Sequence, residues 1–67
     1  MQPGDLVRVR APTFVREVTS STGTVPVGAM GLILGVDSRE KGHGATLLVE
    51  GAQMRVNRIF LEVISEG

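Results

Sequence analysis

The stretch Thr46-Leu47-Leu48-Val49-Glu50-Gly51-Ala52-Gln53-Met54-Arg55-Val56-Asn57-Arg58-Ile59-Phe60-Leu61-Glu62-Val63-Ile64 decides the fold. A run rich in β-formers, Thr46 to Glu50, meets a turn at Gly51-Ala52 and returns as Gln53 to Asn57, where Met54 and Val56 alternate with polar residues. This is the pattern of an antiparallel hairpin with one buried face. Asn57-Arg58-Ile59-Phe60 is too short for an α-helix and suits a single 3₁₀ turn, after which Leu61 to Ile64 reads as a closing strand.

Moving towards the N-terminus, Ala29 to Val36 predicts another strand. Met30, Leu32, Leu34 and Val36 fall on one face by alternation, and Gly31 and Gly35 on the other mark a bend or a bulge. The pattern leaves open whether Ile33 or Leu34 faces the core. The first strand spans Asp5 to Arg10, with Val7 and Val9 alternating against Arg8 and Arg10. Between these two strands, Ala11 to Val27 reads as a long loop with a loose hairpin around Ser20 to Gly23. Asp37 to Gly44, dense in charge and glycine, reads as an exposed loop.

The chain of 67 residues holds one domain, residues 1–67, and its nine glycines and three prolines leave few windows in which a helix could propagate. With 42% apolar and 21% charged residues it is too hydrophobic for a disordered tail. Five short strands are too few for an immunoglobulin-sized sandwich, and an open sheet would leave an apolar face wet. Closure into a small all-β barrel is therefore expected. The longest uncharged apolar run, Gly28 to Val36, has nine residues, against the roughly 18–20 that span a bilayer. No basic region followed by an apolar stretch opens the chain, so a cytoplasmic protein, or one within a cytosolically assembled particle, is expected, with no membrane contact.

The opening Pro-Gly-Asp-Leu-Val-Arg-Val at 3–9, the glycine-flanked strand at 28–36 and the closing segment at 47–64 resemble an SH3-like β-barrel. The likeness spans residues 3 to 64. It implies five strands, a long loop between the first two, a three-strand meander, and a 3₁₀ turn before the last strand. Polyproline-binding members use a groove lined with Tyr and Trp, and this chain has neither. The spacing of Gly28 and Gly31 is similar to the glycine region of KOW-type nucleic-acid binders, although those are usually basic. Stand-alone barrels of this kind serve as subunits of virions and other multi-subunit complexes.

Seven basic residues balance seven acidic ones, which argues against a protein whose main work is neutralising phosphate. The absence of cysteine excludes a disulfide framework, a thiolate zinc site and cysteine catalysis. His43 stands between two glycines with nothing to orient it as a base. Asp37, Glu40 and His43 would make only a weak, flexible metal site, and Ser20, Ser21 and Ser38 belong to no catalytic motif. A small barrel is filled by its own side chains, so no enzyme activity, cofactor, metal or small-molecule substrate is expected.

Two surfaces remain. Phe14, Val15, Val18, Val25 and Val27 are five apolar residues in the long loop, and they either cover an open end of the barrel or form a partner-binding surface. Arg8, Arg10, Arg55 and Arg58 would form a patch for nucleic acid or an acidic partner if closure brings them together, or would be solvated and paired with Asp5, Glu50, Glu62 or Glu66. The expected role is a non-enzymatic subunit docking through its loop and a sheet edge into a larger complex or a homo-oligomer. A KOW-like nucleic-acid-binding module is the alternative.

Overall fold

The computed structural model describes residues 1–12, 14–20, 23–37 and 42–67. In chain order the elements are β1 (Leu6–Val9), β2 (Glu17–Ser20), β3 (Gly23–Pro26), β4 (Met30–Val36), β5 (Gly44–Val49), β6 (Ala52–Asn57), a 3₁₀ turn (Arg58–Phe60) and β7 (Leu61–Ser65). The five strands expected from the sequence form one antiparallel sheet in the order β6-β5-β4-β1-β7. The long loop is more ordered than expected: β2 and β3 form a second, two-stranded sheet within it. The tip of that hairpin, Ser21 and Thr22, lies outside the described residues.

Both sheets share one core. The large sheet contributes Val7, Val9, Ile33, Ala45, Leu47, Val49, Val56 and Leu61, and the hairpin contributes Val18 and Val25. Directly opposed in register, Val18 and Val25 turn inward together. β2 packs beside β6, so the hairpin folds over the sheet.

The β5–β6 hairpin differs from expectation by one residue. Val49 pairs with Ala52, so the turn is Glu50-Gly51. Both turn residues have positive φ, 50° and 80°, the signature of a type I′ turn, whose twist matches that of the strands it joins. Glycine suits the second position. Glutamate at the first is held in left-handed backbone that disfavours a side chain.

β4 is the central strand, and its facing corrects the simple alternation. Ile33 is buried, while Met30, Leu32 and Leu34 point outward and are 50%, 39% and 40% exposed. A bulge between Ile33 and Gly35 takes up Leu34, after which Val36 pairs with buried Ala45 and packs against the core. Gly31 shares the inner face with Ile33. A Cβ there would lie 2.8 Å from Val49 Cγ2 and 3.0 Å from the Leu48 carbonyl oxygen. The face with the glycine is the crowded one, and it is the face that must be inward.

Asp5 just precedes β1 and is 2% exposed. Its Oδ2 accepts from the Gln2 backbone N–H and its Oδ1 from that of Gly67, both at 3.0 Å. Those two bonds, Gly67 first, hold its carboxyl below the usual aspartate pKa against the opposing effect of desolvation. The carboxylate therefore ties the end of the chain to the start of β1 and is not among the partners of the arginines. Among the described residues no helix is long and apolar enough to cross a membrane.

Three outcomes follow from this architecture. Gly31→Val should lower unfolding free energy by about 1–3 kcal/mol in urea titration, through overpacking against Val49 and β5. Glu50→Asn should raise it by about 0.5–1 kcal/mol, since asparagine tolerates the left-handed first position of the turn. Because the Asp5 carboxyl is depressed in the folded state, its contribution is fully present above the ordinary aspartate value of 3.8 and is lost as pH falls through the lower folded value. Asp5→Asn should lower stability at neutral pH and flatten the loss of stability below pH 3.8 in acid titrations followed by circular dichroism.

Candidate binding surfaces

The five loop residues part into two sets. Val18 and Val25 are buried, 3% and 0% exposed, and belong to the core, so they are not available to a partner. Phe14, Val15 and Val27 stay outside, at 98%, 44% and 37% exposed. The reason is geometric: with Val18 and Val25 turned inward, Arg16 and Val27 close the hairpin through the Val27 N–H bond to the Arg16 carbonyl at 2.8 Å. Phe14 lies before that closure, in a turn where the Val15 N–H donates to the Pro12 carbonyl at 3.2 Å.

Phe14 has φ of 81°, in the left-handed region. For a bulky residue this costs about 1–2 kcal/mol relative to right-handed backbone. With its ring almost wholly in solvent, no burial within the chain offsets that cost. An aromatic side chain held out on strained backbone is the kind of outlier that clusters at ligand clamps and switch regions.

Next to it along the chain, Arg10, Ala11 and Pro12 form one wall of an open groove of about 320 Å³ whose other wall is Ile59 and Phe60. The 3₁₀ turn positions that second wall. Asn57 Oδ1 accepts from the Ile59 N–H at 3.1 Å and so caps the turn, while the Arg10 N–H donates to the Phe60 carbonyl at 2.7 Å and ties the turn to the end of β1. Ile59 consequently stands 66% exposed at the rim. A second cavity of about 300 Å³ lies under the hairpin, between Val25 and Pro26 on one side and Val49, Ala52 and Met54 on the other.

Three of the four candidate arginines already have partners. Arg8 on β1 faces Glu62 on β7 directly across the register and bonds it at 3.0 Å. Arg55 bonds Asp37. Arg58 donates to the carbonyl oxygens of Gly42 and His43 at 3.2 and 3.3 Å and so braces the segment leading into β5. Two strands, β4 and β5, stand between Arg8 and Arg55 in the sheet. Arg10 is the member of the set whose side chain has no partner among the described residues, and it lies on the groove.

His43 is exposed, and Asp37 is engaged by Arg55. Glu40, Ser21 and Ser38 lie outside the described residues, among which no group of three metal-ligating side chains converges. The outward face of the large sheet was not a site expected from the sequence. Leu6, Met30, Leu32, Leu34 and Leu48 line it, and the available signal was the presence of apolar residues at both the odd and even positions of β4. Comparison with protein-family models, curated protein sequences and solved structures gives no match.

Proposed function

We propose that this chain is an SH3-like barrel serving as a non-enzymatic subunit of a larger protein assembly, such as a virion or another multi-subunit complex. It docks through Phe14, Val15 and Val27 together with the groove between Pro12 and Ile59. The observation that carries this is Phe14, 98% exposed on left-handed backbone. Strain of this kind persists where something else is gained, and an aromatic anchor entering a partner's pocket supplies that gain. Support for the fold comes from the strand order β6-β5-β4-β1-β7, the β4-β5-β6 meander and the 3₁₀ turn before β7.

The docking edge in this proposal is β7, which pairs with β1 on one side and ends the large sheet. Val63 and Ile64 on it are 38% and 44% exposed, which suits an apolar neighbour better than a charged one. The nucleic-acid alternative rests on Arg10, since Arg8, Arg55 and Arg58 are engaged within the chain.

The test is co-purification from native material by sizing chromatography, with the chain followed by mass spectrometry. Elution with a larger complex that withstands high salt and nuclease is expected, because apolar docking is insensitive to ionic screening. Phe14→Ser combined with Ile59→Ser should release the chain from that complex and leave its circular dichroism unchanged. Loss of the complex at high salt or with nuclease, restored neither by crosslinking nor by lower temperature, would replace docking with phosphate binding; Arg10→Gln would then weaken it.

A further inference from the structure

The outward face of the five-stranded sheet carries an apolar row built by the register itself. Leu48 on β5, Leu32 on β4 and Leu6 on β1 are successive cross-strand partners, and Met30 and Leu34 extend the row along β4. Met30, Leu32, Leu34 and Leu48 are between 37% and 50% exposed, although each would be at home in a core. The row ends on uncharged neighbours, Gln53 beyond Leu48 and Ser65 beyond Leu6. On either side of it, among the described residues, Arg8 is paired with Glu62 and Arg55 with Asp37.

We propose that this face is the interface of a homodimer in which the row Leu6, Leu32 and Leu48 packs against the same row of a second copy. Charge selects the occupant. A strongly basic or acidic partner finds no net charge to meet, whereas a second copy brings an identical uncharged row flanked by the same two ion pairs, each already satisfied within its own chain. Symmetry suits the face as well, because a two-fold contact needs a self-complementary patch, and Leu32 at the middle of the row can lie near the axis.

Area sets the strength. The molecule measures 29 × 25 × 21 Å, which bounds any one face at about 700 Å², somewhat below the roughly 800 Å² per partner of a standard interface. That upper bound excludes an obligate dimer, so the contact proposed is a weak, reversible one. The need is visible in the core, where six of the ten buried apolar residues among those described are valine. A chain of this size without disulfides gains its remaining stability most readily by association. The dimer face is centred on β4 in the middle of the sheet, and the docking surface on the loop, the 3₁₀ turn and the β7 edge, so variants at Leu32 and Phe14 separate the two.

Sedimentation equilibrium of the purified full chain tests this directly. The weight-average mass should rise from the monomer value of 7.1 kDa towards twice that as concentration increases from about 10 μM to about 1 mM. Leu32→Lys should weaken association by at least about tenfold, and Phe14→Ser should leave it unchanged. Amide hydrogen exchange of the unaltered chain supplies a readout that needs no variant: β4 and the flanking parts of β1 and β5 should gain protection with concentration. A mass that stays at the monomer value through the whole range would overturn the proposal, as would concentration-dependent protection confined to the loop or to β7.

Discussion

The approach of β5 to β4 at Gly31 is the constraint on which the rest of the molecule depends. With hydrogen in place of a side chain, Gly31 leaves room for a Val49 methyl and the Leu48 carbonyl oxygen at 2.8 and 3.0 Å from where a Cβ would stand. That contact fixes which face of β4 is inward. Once Gly31 faces in, Ile33 follows it into the core and Met30 and Leu32 are sent outward by the two-residue period of the strand. The bulge at Leu34 then restores the inward facing of Val36 opposite Ala45, so the far end of the strand still contributes to the core.

The same facing explains why two faces of so small a protein carry leucines. A central strand with apolar residues at successive positions can bury only one set. Here the buried set is the smaller one, one glycine and one isoleucine, because the space on that side is already filled by Val7, Leu47 and Val49. The larger set, Met30, Leu32 and Leu34, lies outside. An inward Leu32 would have to displace the Val49 side chain and β5 from the position that Gly31 leaves open to them.

Much of this was legible in the sequence, and the exceptions have physical causes. The alternation of Val7 and Val9, the Met54–Val56 spacing and the Asn57–Phe60 turn each depend on local period or chain length, which a sequence displays directly. The facing of β4 depends on a contact with Val49, eighteen positions away, which alternation does not encode. The turn of the β5–β6 hairpin was displaced because Glu50 adopts a backbone conformation that its side chain disfavours, and pairing of Val49 with Ala52 overrides that preference. In the long loop, clustered Thr, Ser and Gly hid a hairpin whose inward pair, Val18 and Val25, is visible only once cross-strand register is known. The arginines were recognisable as a set and Glu62 was among their expected partners, whereas Asp37 and the Gly42 and His43 carbonyls, which come from distant segments, were not.

The distribution of unsatisfied groups separates what the chain does for itself from what it leaves to others. Buried polar side chains among the described residues all have partners, and Asp5, which could have been a charge exposed beside the arginines, is held by two backbone N–H groups. The buried polar chemistry of the described residues is therefore closed internally. Apolar chemistry is not: Phe14 and Ile59 stand exposed, and so does the leucine row across the sheet. Desolvating a closed ion pair at the border of an apolar face costs less than desolvating a lone charge, while each apolar side chain covered contributes about 25 cal/mol per Å² removed from water. Two ion pairs on the outer surface are closed within the chain while Phe14, Ile59 and the leucine row stay uncovered, and it is this contrast that the two proposed surfaces rest on.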